Sequence, residues 1–251
     1  MINTKKKIAL ITGAGSGIGL SAAKSLVASG FLVILTGRSQ EKLDKAAAQF
    51  EQGQVHALTV DVTSPHSVAA LFATVHETYG RLDVLFNNAG TNVKEQPIED
   101  QPYEDWLAVI NTNLNGAYLC TQAAVRLMKQ QTPMGGRIIN NGSISAHTPR
   151  PYSAAYTASK HAITGLTKST SLDGRQYNIA CGQIDVGNAA TDMGNKALSG
   201  RLQADFELAQ EPVMPADKVG DAVAFMANQP DGTNILTLTV MATAMPFVGR
   251  G

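Results

Sequence analysis

Residues 8–19 read IALITGAGSGIG. The first four are apolar on both faces, as in a strand covered on both sides of a parallel sheet. They run into a glycine-rich turn, and a helical pattern follows over residues 18–29. Such a turn lets backbone approach a pyrophosphate, whose charge meets the free N–H groups of the helix N-terminus. Gly13, Gly15 and Ser16 would form the turn, Gly17 and Ile18 open the helix, and Gly19 would let it pack close to the sheet. The spacing is GxxxGxG rather than GxGxxG. A tight turn without ligand is the alternative; the position at the start of a βαβ unit favours a nucleotide.

The same alternation continues outward. Short apolar runs at residues 31–35, 55–60, 84–86, 137–140, 179–184 and 235–240 read as strands. Helical patterns occupy residues 40–52, 67–79, 103–131, 153–177 and 216–227. Strand and helix in alternation predict a doubly wound α/β fold, with a parallel sheet of about seven strands covered by helices on both faces. No linker or repeat divides residues 1–251, so one domain is expected. The pattern loosens over residues 187–215, rich in Gly, Asn, Asp and Met and bracketed by Met193 and Met214, which suits a substrate lid.

Composition narrows the function classes. Twenty basic residues balance twenty acidic ones among 251. That argues against nucleic acid or a polybasic membrane anchor as partner. The one basic run, Lys5–Lys7, precedes a strand rather than a signal sequence, and no apolar run approaches the roughly 20 residues of a membrane span. Cys120 and Cys181 lie in apolar stretches, as reduced thiols of a cytoplasmic protein would. No histidine spacing suggests a metal site.

In dinucleotide folds an acidic residue about 20 positions beyond the glycines takes the ribose hydroxyls. Here Gly37 holds that place and Arg38 follows. With no carboxylate to repel a 2′-phosphate and a guanidinium to pair with it, NADP is favoured, with NAD possible. The alternative is that Arg38 stacks on adenine or faces water.

Further on, "NNAG" stands at residues 87–90, "NTNLNG" at 111–116, "NNGSIS" at 140–145 and YxxxK at 156–160. With TGxxxGxG at 12–19 and "DV" at 61–62, this ordered set resembles the short-chain dehydrogenase/reductase family over nearly the whole chain. The resemblance implies a Rossmann-type fold and a nicotinamide cofactor. It also implies a small-molecule carbonyl or secondary alcohol as substrate. Tyr156 and Lys160 are one helical turn apart. A phenol is a reluctant acid near neutrality, and an ammonium beside it, with an oxidised nicotinamide, favours phenolate. The family reading makes Tyr156 the general acid/base and gives Lys160 a second task on the nicotinamide ribose. Ser143 would donate to the substrate oxygen, with Ser145 the weaker candidate. Asn113 would mark a kink holding a water in a relay to Lys160; Asn111 and Asn115 are its decoys. Asp61 and Val62 would meet the adenine, and Asn88, Ala89 and Gly90 the adenosine half. Gly187 and Thr191 would face the carboxamide, although Val186 replaces the family's proline and gives up its fixed φ.

Three features stay open. Arg150, in the loop before the catalytic helix with His147 and Tyr152, could hold an anionic substrate or make a salt bridge. The tail from Met245 to Gly251 is too apolar to hang in water. It would cross to a neighbouring subunit of a homotetramer (or homodimer), bringing Arg250 towards the neighbour's lid, or fold back on its own. Rival functions are an NAD-dependent sugar or polyol dehydrogenase and a nucleotide-sensing protein without turnover.

Overall fold

The structure is a computed structural model describing residues 6–191 and 194–248. The chain forms β1 (Ile8–Thr12), α1 (Gly17–Ala28), β2 (Leu32–Gly37), α2 (Gln40–Ala47), β3 (Val55–Thr59), α3 (Pro65–Tyr79) and β4 (Val84–Asn87). Then come α4 (Tyr103–Ile110), α5 (Gly116–Gln130), β5 (Gly136–Asn141), α6 (Ala154–Gly174) and β6 (Ile179–Val186). A two-stranded hairpin, β7 (Arg201–Leu202) and β8 (Leu208–Ala209), precedes α7 (Ala216–Ala227) and β9 (Thr237–Val240). The main sheet has seven strands in the order β3-β2-β1-β4-β5-β6-β9, all parallel. The expected doubly wound Rossmann fold is therefore the one the chain adopts.

Alternation along β1 explains the two-sided core. Ala9 and Ile11 pack with α1, α2 and α7, while Ile8 and Leu10 pack with α3 and α5. After β3 the chain returns to the other side of β1, so strand order reverses between β1 and β4. The crevice at that switch point is where open α/β sheets take ligands. Cys120 and Cys181 are buried and unpaired, and burial pushes both thiols up to about 12.

Three elements depart from the sequence reading. Helix α2 stops at Ala47, short of residue 52, because a turn closed by Gln54 N–H to Glu51 O returns the chain towards β3. The long helix expected at 103–131 is interrupted by one π-helical turn, Asn111–Asn115. Residues 187–215 are not irregular throughout, since the β7–β8 hairpin lies within them. Met193 lies outside the described residues.

Candidate active site

A cleft of about 360 Å³ opens above the carboxyl ends of β1, β4, β5 and β6. Its floor is the glycine turn. Gly13 has φ +67°, and a Cβ there would stand 3.0 Å from Ala89 Cα. A Cβ on Gly19 would stand 2.4 Å from Gly13 O, so only glycine lets α1 sit so close to the turn. Ser16 is the N-cap of α1, extended at φ −167°, and its side chain makes no capping bond. The opening N–H groups of α1 are thus left for an anion, which fits a dinucleotide pyrophosphate. Gly15 packs against Lys42 and Gly17 lies beneath Thr191. Ile18 also lines the cleft.

Thr12 and Asn88 brace this turn. Thr12 Oγ1 accepts N–H bonds from Asn88 and Ala89, each 2.9 Å. The Asn88 amide donates to Thr12 O (2.9 Å) and Gly13 O (3.1 Å) and accepts from Asn141 Nδ2 (3.0 Å). Asn88 is thereby engaged by protein, and Ala89 and Gly90 line the cleft beside it.

The adenosine-end candidates divide. Arg38 is exposed at the end of β2, and its charge acts on Asp61. The Asp61 carboxyl is held below its ordinary range, first by the Thr63 N–H and hydroxyl, against burial, and then by Arg38. Val62 is buried, and a Cβ on Gly116 would stand 2.7 Å from its Cγ2, so it packs under the start of α5 rather than lining the cleft.

The catalytic candidates converge. Tyr156 and Lys160 share one face of α6, with Lys160 Nζ 5.5 Å from the Tyr156 ring centre. Nζ donates to Asn141 O at 2.7 Å, which anchors the ammonium to β5. Ser143 Oγ accepts the Ser145 N–H at 3.1 Å, leaving its own hydrogen to donate into the cleft. The π turn aims Asn113 inward, 2 % exposed. Its amide brackets Thr91, accepting the N–H at 2.8 Å and donating to the carbonyl at 3.0 Å, and also donates to Ser159 Oγ at 3.2 Å. Ser159 Oγ donates in turn to Tyr156 O. Asn113 therefore ties three segments together, and its side chain does not reach Lys160 directly. Asn111 and Asn115 bond each other on the outer side.

Val186, standing where the family carries proline, pairs with Val240, and Gly187 N–H donates to Val240 O at 2.9 Å. The ladder holds this turn in place of a fixed φ. A Cβ on Gly187 would stand 2.7 Å from Met245 Sδ, so the tail closes beneath it. Met245 is buried and Phe247 packs on the same core. Through Phe247 the tail docks on its own chain rather than reaching away from it; Arg250 lies outside the described residues.

Sequence reasoning missed a polar network at the substrate end. Arg150 lines the cleft and pairs bidentately with the buried Glu211 (Nη2–Oε2 2.6 Å). Burial pushes the Glu211 carboxyl up. Hydrogen bonds from Arg150, Gln203 and Asn188, with the Arg150 charge, outweigh this and hold it at about 2. Arg201 of β7 pairs with Glu95 across the cleft. The salt-bridge alternative for Arg150 is thus the one built. Asp185, buried in β6, holds Ser143 N–H at 3.0 Å. A carboxylate between Ile184 and Val186 was the signal that could have found it. Among the described residues no His, Cys, Asp and Glu group suits a metal ion, and no helix is long and apolar enough to cross a membrane.

Known proteins resemble this chain in sequence and in fold. The family model for short chain dehydrogenase matches residues 7–201. A 3beta-hydroxysteroid dehydrogenase of Mediterraneibacter gnavus is 39% identical over 71% of this chain and 64% of its own length. The gluconate 5-dehydrogenase of Gluconobacter oxydans is 37% identical over 79% of this chain and 75% of its own. The solved structure of an actinorhodin polyketide ketoreductase with NADPH superposes with a TM-score of 0.85 at 28% identity, covering 96% of this chain and 98% of that one. The chain belongs to the short-chain dehydrogenase family of nicotinamide-dependent oxidoreductases, which act on carbonyl and alcohol groups.

Proposed function

We propose that this chain is an NADP-preferring oxidoreductase interconverting a small-molecule carbonyl and its secondary alcohol, with Tyr156 as general acid/base. The carrying observation is the grouping of Ser143, Tyr156 and Lys160 in one cleft with an uncapped, glycine-lined helix N-terminus. Gly13, Gly15, Ser16, Gly17, Ile18 and Gly19 would cradle the pyrophosphate. Arg38 would hold the 2′-phosphate and Asp61 the adenine, with Val62 supporting it from below. Ala89 and Gly90 would pass along the adenosine half, held by Asn88, and Gly187 and Thr191 would meet the carboxamide. When bound, the nicotinamide supplies or accepts the hydride at the substrate carbon.

The chain supplies the rest. Ser143 donates to the substrate oxygen and fixes it beside Tyr156. Tyr156 gives that oxygen its proton, and the Lys160 ammonium stabilises the phenolate left behind. Asn113 holds the catalytic helix against the loop after β4. Residues 187–215 would form a substrate lid within a single catalytic domain, with Thr191 over Gly17. Exposed apolar side chains on the outer helices, among them Tyr103, Tyr118, Leu172 and Phe225, support a homotetramer or homodimer. The buried reduced cysteines support a cytoplasmic enzyme.

The likeness to gluconate 5-dehydrogenase favours a second reading, oxidation of a sugar or polyol. A spectrophotometric screen of ketones, aldehydes, sugars and alcohols with NADP(H) and NAD(H) tests both. Turnover with NADPH and a carbonyl is expected. Turnover only of polyols with NAD would favour the second, and none with a well-folded protein would overturn both.

A further inference from the structure

The turn that presents Ser143 is built over a buried charge. β5 ends at Asn141, and the chain passes through Gly142 into Ser143. Beneath lies the Asp185 carboxylate, its side chain 1% exposed. Oδ1 accepts the Ser143 N–H at 3.0 Å and the Gln183 amide at 2.7 Å, and Oδ2 faces His147 Nε2 at 2.8 Å. Gly142 is what admits this carboxylate, since a Cβ there would stand 2.0 Å from Oδ1. An ionised carboxylate only accepts, so His147 must present its Nε2 hydrogen. Burying a carboxylate costs several kcal/mol unless donors satisfy it, and here three do. A turn alone does not need one.

The chain of contacts continues outward. The His147 ring is half-exposed and meets the Phe247 ring edge-on, centres 6.3 Å apart. Two residues earlier, Met245 Sδ accepts the Asn188 N–H just after β6. The tail, His147 and Asp185 thus form one line ending on the Ser143 N–H. Neither Asp185 nor His147 lines the cleft, so neither touches a substrate there. Ser143 Oγ does, and a misplacement of about 1 Å at a reacting group can cost on the order of 10²-fold in rate.

We propose that Asp185 and His147 are positioning residues for Ser143, with the tail aromatic Phe247 steadying the histidine. This rests on the oxidoreductase reading above. His147→Ala should lower kcat roughly tenfold, a fraction of that limit, with NADPH Kd and substrate KM unchanged. His147→Gln, whose amide can still donate to Asp185, should restore most of the loss. In a Ser143→Ala background the same His147→Ala change should cost nothing further, since the group it positions is gone. Fully additive losses, or a glutamine variant as poor as alanine, would overturn the proposal. Hydrogen exchange reads the same loop without turnover. Exchange in residues 142–147 should rise in His147→Ala and Asp185→Asn while residues 12–20 stay as in the wild type. Unchanged exchange at 142–147 would also overturn it. A wild type that turns nothing over would count against the oxidoreductase reading alone, because exchange still decides the positioning.

Discussion

The two halves of the cleft are built from different materials. The nucleotide half is made of backbone: glycines at positive φ or in close approach, and helix N–H groups left open. The other half is held by side-chain pairs drawn from distant segments, Arg150 with Glu211 and Arg201 with Glu95, while the His147–Asp185 pair lies behind it, under Ser143. Steric necessity fixes the first within a dozen consecutive residues. Long-range charge pairing fixes the second. One half states the cofactor class; the other keeps the substrate to itself.

Removing the phenol separates the halves most sharply. Tyr156→Phe should lower kcat by about 10²–10⁴-fold, while fluorescence titration finds NADPH bound as in the wild type. Equal losses in binding and turnover would show that the halves are not separable.

Breaking the substrate half at its buried pair comes next. Glu211→Ala leaves Arg150 facing an empty partner site, which costs at most about 3–5 kcal/mol and less here because Arg150 is partly exposed. Calorimetry should show a melting temperature lowered by several degrees. The pH dependence carries the same sign. Glu211 is held at about 2 against an ordinary 4.5, so its stabilising charge is complete above that ordinary value. It is lost as the pH falls from about 4.5 towards 2. An acid-unfolding curve for Glu211→Gln should be flatter over that window, and identical curves would remove the pair from the lid's stability.

The cradle half is sharpened at Arg38. A charge-assisted bond to a 2′-phosphate is worth about 1.5–3 kcal/mol, so Arg38→Ala should weaken NADPH roughly ten- to a hundredfold and NADH little. Equal affinity of the wild type for both cofactors would end the NADP preference.

The smallest effect belongs to the tail. Deleting Pro246 to Gly251 keeps Met245 beneath Gly187 but removes the ring beside His147. A few-fold fall in kcat/KM is expected with the cofactor Kd unchanged. Unchanged kinetics would make the tail a packing element only.

How much was legible follows from the same contrast. All seven strands of the main sheet and the close glycine turn were legible from strand alternation and glycine spacing, because period and steric exclusion act locally. Asn113 was legible through the family resemblance, since asparagine is a poor helix former, and its π turn gives the reason for the interruption. The packing of Val62 could not be read locally, because its burial depends on Gly116, more than fifty residues on. The β7–β8 hairpin was missed because two-residue strands carry no period to read. The roles of Glu211 and Asp185 were hidden for a related reason: a carboxylate's partner is set by the finished fold. The tail's apolar residues announced that they would dock, but not where.

Isotope transfer tests the central claim most directly. The enzyme would be given NADPH deuterated at C4 of the nicotinamide, on each face in turn, with a carbonyl substrate found by the screen, and the alcohol product analysed by mass spectrometry and proton NMR. The account predicts one deuterium on the carbinol carbon from one face only, formed by the wild type and at least about a hundredfold more slowly by Tyr156→Phe. Alcohol formed without deuterium from either face, or at an undiminished rate by Tyr156→Phe, would contradict it.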